Sequence, residues 1–354
     1  MEKIIDILKE AVLQNVSDVF VIAGCPYAYK RNGEVEYVGK DILKPIDCEN
    51  IITEIYKLAN QKNFEKFIIS GDDDFSFSMP QVGRFRVNAF KQRNSLSAAI
   101  RVVRYDLPNP IEMHIPRIIT DLYDTKKGLV LVTGPAGSGK STTLACIVDE
   151  INRHRSTHII TIEDPIEYLH HHKKSIVSQR EIAHDTVDYL HALRAALRQA
   201  PEVILLGEMR DLETINTAVT AAETGHLILS SLHTIGAANT IDRIIDVFPP
   251  SGQQQIRIQL SMVLHAIISQ QLVPTIQGER IPVFEIMIVN NAIRSQIRDA
   301  KSQQIENSIY SGKASGMITM DESLYNLYEE GCITKETAVL YSSHPDVMSK
   351  KIKL

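Results

Sequence analysis

Apolar positions along the first hundred residues predict a small module of helices and strands. Five apolar residues recur at helical spacing near the start and share one face: Ile4, Ile5, Leu8, Ala11 and Val12. Residues 51–60 predict a second helix. Four short stretches predict strands, at residues 19–24, 66–70, 75–79 and 84–90, and residues 30–35 predict a turn into a further strand. The pattern therefore indicates an α/β domain over residues 1–105.

A stretch without periodicity separates this module from the rest of the chain. Residues 106–116 contain three prolines and little alternation of apolar and polar positions, which is typical of a connecting segment. We interpret these residues as a linker. The remaining residues, 117–354, are predicted to form a second domain.

The second domain alternates apolar strands with amphipathic helices. Strands are predicted at residues 129–133, 158–164, 203–208 and 226–233, and helices from Ser141, over 186–200 and from Leu212. This alternation is typical of a parallel sheet with crossover helices. From Gln253 the chain is predicted to be mainly helical, with one apolar helix face formed by Leu260, Val263, Leu264, Ile267 and Ile268. Thr319 begins a capping box, and Gly331 is expected to end that helix.

Composition narrows the class of protein. The 354 residues carry a net charge of −5, with 44% hydrophobic and 23% charged residues, which is ordinary for a globular protein in water. The negative charge gives no general attraction to nucleic acid. The four cysteines form no C-x-x-C pair, as expected of reduced cytoplasmic thiols. No apolar run is long enough to span a bilayer, and the charged start does not resemble a signal peptide.

One segment carries a specific chemistry. GPAGSGKS, residues 134–141, lies between a predicted strand and a predicted helix and fits the P-loop pattern. Its glycines allow backbone N–H groups to approach phosphate oxygens, Lys140 is expected to reach the β- and γ-phosphates, and the Ser141 hydroxyl is expected to bind Mg²⁺. The sequence therefore predicts an ATP and Mg²⁺ site formed by Gly134, Pro135, Ala136, Gly137, Ser138, Gly139, Lys140, Ser141 and Thr142.

Hydrolysis also needs carboxylates near the phosphates. The strand at 203–208 ends in Gly207 and Glu208 instead of the aspartate usual in P-loop proteins. We expect Glu208 to polarise the attacking water, and Glu163 with Asp164 to complete the Mg²⁺ shell, partly through water. The carboxyl ends of parallel strands meet at one edge of a sheet, where the P-loop also lies. For Asp164, a local role as a cap or in an ion pair is an equally good alternative to Mg²⁺ binding.

Two groups of histidines are candidates for further roles. His226 and His233 flank one predicted strand, and we assign His226 to nucleotide binding and His233 to catalysis. One of them would sense the γ-phosphate, and the other would bridge to a neighbouring subunit. The run at residues 170–172 lies beside two lysines, and we interpret it as a solvated edge instead of a metal site.

Positive charge on the transferred phosphoryl group is expected from outside the P-loop as well. Arg84 and Arg86 alternate along a predicted strand, so their side chains face the same way. We predict that they reach the γ-phosphate from the first domain, either within one chain or across a subunit interface. A solvent-facing strand edge is the alternative, and Arg210 is a weaker candidate for the same role.

Together these motifs resemble the secretion-ATPase superfamily, and within it the type IV pilus retraction ATPases. Residues 134–141 resemble its Walker A motif, 162–168 its Asp box, 204–211 its Walker B motif and 225–234 its His box. Residues 83–90, 292–299 and 316–331 also resemble family segments. There are departures: Phe20 stands where the family has histidine, and Ser295, Gln296 and Asp299 replace Asn, Leu and Glu.

The resemblance implies a PAS-like N-terminal domain and a RecA-like ATPase domain with a mainly helical C-terminal extension. It also implies a homohexamer that couples ATP hydrolysis to pilus retraction through an inner-membrane platform protein, at the cytoplasmic face of that membrane. A pilus assembly or type II secretion ATPase is the nearest alternative, although the expected extra N-terminal domain and four-cysteine zinc insert are absent from the sequence. A nucleic-acid translocase and a non-hydrolysing regulator remain further alternatives; the acidic balance disfavours the first, and the presence of Lys140, Glu163 and Glu208 disfavours the second.

Overall fold

The chain divides into two compact units. The computed structural model describes residues 4–31, 34–60, 64–80, 82–103 and 107–353. The first unit contains residues 1–106 and 167–169, and the second contains residues 107–166 and 170–354. Part of the turn predicted at residues 30–35, and the first linker residue Asp106, lie outside the described residues.

The first unit is a six-stranded antiparallel sheet with helices. Its strands are β1 (Asp18–Val21), β2 (Tyr27–Arg31), β3 (Glu34–Val38), β4 (Asp72–Met79), β5 (Gly83–Gln92) and β6 (Ser95–Val103). Its helices are α1 (Ile4–Leu13), α2 (Pro45–Leu58) and α3 (Phe64–Ser70). The strand order is β3-β2-β1-β6-β5-β4, and each neighbouring pair is antiparallel. The α/β class predicted for this part of the chain is confirmed.

The alternation along β5 separates a core face from an outer face. Phe85 and Val87 are fully buried in the apolar cluster that also contains residues of α1 and α2. Burial of each such side chain contributes about 1.5–3 kcal/mol, so this face fixes the register of the strand. Arg84 and Arg86 alternate with these residues and lie on the opposite face, where both are half-buried.

One strand predicted in this unit is wrong. Residues 66–70 belong to helix α3, in which Phe67 is buried while Ile69 is 87% exposed. Phe64 and Phe67, one helical turn apart, contact the ring of Tyr56 with centroid distances of 5.1 and 5.7 Å. A short apolar run does not distinguish a strand from a helix, and here the aromatic packing onto α2 selects the helix.

The second unit is built on a seven-stranded sheet. Its strands are β7 (Gly128–Thr133), β8 (His158–Glu163), β9 (Ile176–Glu181), β10 (Val203–Leu206), β11 (Leu227–Leu232), β12 (Leu264–Pro274) and β13 (Arg280–Ile288). The helices up to β12 are α4 (Arg117–Thr120), α5 (Lys140–His154), α6 (Tyr189–Ala196), α7 (Leu212–Glu223), α8 (Ala237–Asp246) and α9 (Pro250–Val263). The strand order is β13-β12-β7-β11-β10-β8-β9, with β13 antiparallel to β12 and the other pairs parallel. The predicted parallel sheet with crossover helices is confirmed.

Both faces of this sheet are covered by apolar side chains. On β7, Leu129 and Leu131 belong to one buried cluster, and Val130 and Val132 belong to the cluster on the other face. A strand that is buried on both faces has no polar side to show in its sequence, which explains the continuous apolar run before the P-loop.

The helix predicted across residues 260–268 is wrong beyond Val263. Helix α9 ends there, and Leu264–Pro274 forms strand β12 beside β7. A β-bulge between Leu264 and Ala266 shifts the register, so that Leu264 and Ile267 belong to one apolar cluster and Ala266 to the other. The bulge places residues three apart on the same face of a strand, and this spacing imitates a helix.

The chain after β13 is helical, as predicted for the C-terminal extension. Its helices are α10 (Asn291–Arg298), α11 (Ile305–Ser311), α12 (Met320–Glu329), α13 (Lys335–Tyr341) and α14 (Pro345–Lys351). Thr319 caps α12 by accepting a hydrogen bond from the N–H of Glu322, and Gly331 after this helix has a φ of 70°, which confirms the predicted start and end. Within the described part of the chain, no helix has the length and apolar character needed to cross a membrane.

The solvated edge predicted for residues 170–172 is wrong for one histidine. His171 and His172 are exposed, but His170 is only 9% exposed. Its main-chain N–H donates to the side-chain oxygen of Gln179 on β9 at 2.8 Å, which fixes the segment against the edge of the sheet. A polar sequence context did not reveal that the first residue of the run turns inward.

Candidate active site

The P-loop connects β7 to α5 through three glycines with positive φ. Gly134, Gly137 and Gly139 have φ values of 144°, 75° and 87°, a region that residues with a Cβ rarely adopt. Gly139 is the N-cap of α5 and has no side chain with which to cap it. The N–H groups of the first helical turn are therefore available to phosphate oxygens, at the positive end of the helix dipole.

Close contact with β12 explains why glycine is required at two of these positions. A Cβ on Gly134 would lie 2.0 Å from the main-chain oxygen of Gln270, and a Cβ on Gly139 would lie 2.8 Å from its side-chain nitrogen. The side-chain oxygen of Gln270 accepts a hydrogen bond of 2.7 Å from the Thr143 hydroxyl on α5. Gln270 thus packs closely against the glycines of the loop and is hydrogen-bonded to the helix that follows it. Sequence reasoning missed it, although a buried glutamine within an apolar strand was the available signal.

Lys140 is buried at the centre of the loop. Its ammonium nitrogen donates to the carbonyl oxygens of Gly134 and Pro135, both at 2.9 Å, and lies 3.5 Å from Nδ1 of His233. An ammonium group only donates, so the hydrogen bond to His233 requires that Nδ1 accepts and that Nε2 carries the proton. The structure therefore places the His233 imidazole against the lysine of the P-loop.

Glu208 continues this chain of polar groups. Its Oε2 lies 3.4 Å from Nε2 of His233 and 2.8 Å from Nε of Arg210. The Glu208 side chain is 18% exposed, so water can reach a carboxylate that remains largely enclosed. Lys140, His233, Glu208 and Arg210 form a continuous series of contacts, which the sequence did not show.

The strand ends gather at one edge of the sheet. Ile162 on β8 pairs with Leu206 on β10, and the N–H of Gly207 donates to the oxygen of Ile162 at 2.8 Å. Glu163, the last residue of β8, therefore lies at the same level as Gly207. Its Oε1 accepts hydrogen bonds from the Thr161 hydroxyl at 2.6 Å and from the Gln179 amide at 3.3 Å. These donors hold the Glu163 carboxylate in one orientation.

A cavity of about 300 Å³ adjoins Glu208. Three basic side chains contribute to its lining, namely those of Arg210, His233 and Arg243. A space with one carboxylate and two guanidinium groups suits a water molecule next to an anionic group.

The hydroxyl groups of the loop complete the polar surface. Ser138 Oγ is buried and has no hydrogen-bond partner within the described residues, as expected of a group that awaits a ligand. Ser141 and Thr142 begin α5 and are half-buried. A search of the described part of the chain finds no cluster of three or more His, Cys, Asp or Glu side chains able to hold a metal.

The remaining predicted site residues lie in other parts of the chain. His226 precedes β11 at its opposite end, with Nδ1 3.0 Å from the oxygen of Ala221, so about 20 Å of extended strand separates it from His233. Asp164 follows Glu163 but is exposed. Arg84 and Arg86 lie in the first unit, where Arg86 forms an ion pair of 2.6 Å with Asp74.

Comparison with known proteins gives a consistent result. The sequence profile of the family described as "Type II/IV secretion system protein" matches residues 1–344. The chain is 44% identical over 338 residues to "Type IV pilus retractation ATPase PilT" of Pseudomonas aeruginosa, covering 95% of this chain and 96% of that one. It is 42% identical over 347 residues to "Twitching motility protein" of Neisseria gonorrhoeae, covering 98% of this chain and 92% of that one.

A solved structure is also similar. The crystal structure of the pilus retraction motor PilT with bound ADP covers 99% of this chain, and this chain covers all of that one, with a TM-score of 0.90 and 46% sequence identity. The likeness extends over both units and is not limited to the P-loop. The resemblance found in the motifs is thereby confirmed, and the chain belongs to the type II/IV secretion system protein family, on the branch of the PilT ATPases.

Proposed function

We propose that this ATPase retracts type IV pili, and that it does so as a homohexamer. The observation that carries the catalytic part is the series of contacts from Lys140 through His233 to Glu208 beside the glycine loop. The printed names of the two full-length relatives, a pilus retraction ATPase and a twitching motility protein, support the biological part.

Nucleotide binding follows from the loop geometry. The N–H groups after Gly139 hold the phosphates, and the Lys140 ammonium exchanges its two carbonyl acceptors for phosphate oxygens. Ser138 supplies a buried hydroxyl that has no hydrogen-bond partner within the described residues. The remaining loop residues, Gly134 to Gly137, act through their main chain, and Thr142 extends the polar start of α5.

Mg²⁺ fits the oxygen donors of the loop and of the carboxyl end of β8. Ser141 offers a hydroxyl, and Glu163 with Asp164 offers carboxylates, which are the hard oxygen ligands that this ion prefers. Because few protein ligands are available, the phosphates and water would provide the rest of its shell. When bound, Mg²⁺ neutralises charge that develops on the phosphate oxygens.

Glu208 is the residue that orients the attacking water. Arg210 and His233 both contact its Oε2, which leaves the other oxygen to accept a hydrogen bond from water. His233 lies between this carboxylate and Lys140, so it can sense whether the ammonium is engaged by a γ-phosphate. His226, at the other end of β11, remains a predicted nucleotide ligand that would have to act between subunits.

Arg84 and Arg86 are proposed to supply positive charge from the first unit. Both lie on the face of β5 opposite the core, and the Arg86 ion pair with Asp74 is partly exposed, so an anion can compete for it. Arg84→Ala and Arg86→Ala are each expected to lower kcat by at least about tenfold while ATP still binds. Arg101→Ala, which removes an exposed arginine on β6, is the matched control. Unchanged turnover in both variants would contradict the assignment.

The partner and the location follow from the proposed activity. A retraction motor must act on the inner-membrane platform protein of the pilus, so we place the protein at the cytoplasmic face of that membrane, held there through its partner. Rotation of the two units around residues 107–116 during ATP turnover would transmit the motion. The net charge of −5 disfavours a direct role on nucleic acid.

Glu208→Gln tests the proposed chemistry. The variant is expected to bind a fluorescent ATP analogue normally and to lose about 10²–10⁴-fold in phosphate release, because an amide polarises water poorly. Glu213→Gln, at an exposed glutamate on α7, is the control and is expected to retain turnover. Phosphate release at the wild-type rate from Glu208→Gln would refute the role.

A deletion strain tests the biological part. Cells without the gene are expected to display pili that do not retract, and the wild-type gene, but not Glu208→Gln, restores retraction. Loss of pili from the cell surface would instead indicate an assembly or secretion ATPase.

A further inference from the structure

Gly207 follows β10 at the position where P-loop proteins usually have an aspartate. The hydroxyl of Tyr189 occupies the space that a side chain at this position would need. Gly207 is held on both sides, since its N–H donates to Ile162 and its oxygen accepts from the Ser231 hydroxyl at 2.6 Å. A Cβ on Gly207 would lie 2.7 Å from the hydroxyl oxygen of Tyr189 and 3.5 Å from the Cα of Glu163. No side chain fits at position 207 while the Tyr189 hydroxyl stays where it is.

Tyr189 comes from another element. It is the first residue of α6, whose start is fixed by Asp188, which accepts a hydrogen bond of 2.8 Å from the N–H of His191. The Tyr189 ring packs against the apolar cluster beneath β8 and β10 and is half-buried. The ring thus anchors the hydroxyl between the two strand ends that carry Glu163 and Glu208.

The hydroxyl is neutral and available as a donor. Burial, and then the negative charges of Glu208, Asp164 and Glu163, raise the pKa of Tyr189 above its ordinary value. This hydroxyl forms no hydrogen bond with another protein group within the described residues. A neutral O–H surrounded by three carboxylates can serve them only by donating.

We propose that Tyr189 is a positioning residue that donates a hydrogen bond to the carboxylate of Glu208 during ATP turnover. This inference rests on the proposed role of Glu208 as the group that orients water. The physical advantage over an aspartate at position 207 is electrostatic. A further carboxylate would repel that of Glu208, whereas a phenol donor stabilises its negative charge.

Tyr189→Phe tests the inference, because it keeps the ring and its packing and removes only the hydroxyl. We expect kcat to fall about tenfold or more, with the ATP concentration at half-maximal rate unchanged within about twofold. A fall in kcat at an unchanged half-saturating ATP concentration distinguishes a positioning role from a general loss of folded, ATP-binding protein. Tyr123→Phe, which removes a hydroxyl elsewhere in the same unit, is the control.

A second measurement does not depend on turnover. Gly207→Ala is expected to lower the melting temperature in the wild-type background, since its Cβ meets the Tyr189 hydroxyl. The loss is expected to be smaller in the Tyr189→Phe background, where that contact is absent. Equal losses in both backgrounds would overturn the proposed geometry.

The outcomes separate this inference from the proposed function. A wild-type protein without ATPase activity, or a fully active Glu208→Gln variant, would refute the function. An active wild type, an inactive Glu208→Gln and a Tyr189→Phe with unchanged kcat would refute the inference alone. A lower melting temperature for Tyr189→Phe, with kcat reduced only in proportion to the unfolded fraction, would assign a purely structural role and overturn it as well.

Discussion

His170 is expected to make the stability of the second unit depend on pH. Burial lowers the pKa of His170 to about 4 from its ordinary value of 6.5, and the nearby Asp149, Lys173 and His171 act in addition. Its Nδ1 is buried and has no hydrogen-bond partner within the described residues, so a proton there would be poorly accommodated. Folding therefore requires the neutral form.

The sign and size of the effect follow from this pKa. Above a pH of 6.5 the imidazole is neutral in both the folded and the unfolded chain, and it adds no pH dependence. As the pH falls from there to about 4, the unfolded chain binds a proton that the folded chain does not, and the free energy of unfolding decreases. At about 1.4 kcal/mol for each pH unit, the total loss is about 3 kcal/mol.

His170→Leu removes this titration. Urea unfolding followed by far-ultraviolet circular dichroism suits a chain without tryptophan, and it would be repeated at intervals between about pH 7 and pH 4. Relative to wild type, the variant is expected to gain about 3 kcal/mol in unfolding free energy as the pH is lowered over this range.

His171→Leu provides the matched comparison, since His171 is the exposed neighbour of His170. It is expected to follow the wild-type pH dependence. The reasoning is refuted if the His170→Leu curve runs parallel to that of wild type, because the buried imidazole would then titrate normally.

The remaining predictions concern the nucleotide site. Gly134→Ala is expected to lower nucleotide affinity by about a hundredfold or more, because its Cβ would lie 2.0 Å from the oxygen of Gln270 and displace the loop. Gly137→Ala, whose Cβ meets nothing within 4 Å, is expected to cost at most about tenfold, from backbone strain alone; equal losses in a titration with labelled nucleotide would contradict this contact argument. Gln179→Leu removes a hydrogen bond to Glu163 and is expected to lower kcat by about three- to tenfold in a phosphate-release assay. An unchanged kcat would mean that Thr161 alone orients Glu163.

Long periodic segments were predicted well, and short apolar runs were not. The strands before and after the P-loop and the helices α5 and α7 lie where the pattern indicated. Residues 66–70 and 264–268 were assigned to the wrong element type. In both cases the deciding interaction was made with another element, by rings packed on Tyr56 in one and by a bulge beside β7 in the other.

The candidate active site also has one part that the local sequence predicts and another part that it does not. The P-loop motif determines its own chemistry locally, because glycines, a lysine and a hydroxyl at fixed spacing suffice to describe a phosphate cradle. The supporting residues Gln270 and Tyr189 come from distant parts of the chain, and no local pattern connects them to the loop.

The sequence by itself determined the fold class, the phosphate loop and the family. The fold class follows from the local spacing of apolar residues, and the loop and the family follow from motifs of adjacent residues. Only the tertiary structure decided which polar groups meet: that His233 lies between Lys140 and Glu208, that a phenol occupies the place of an aspartate, and that His170 is buried. The physical reason is that hydrogen bonds and burial depend on distances between strand ends and helices, and crossover connections set those distances over many residues.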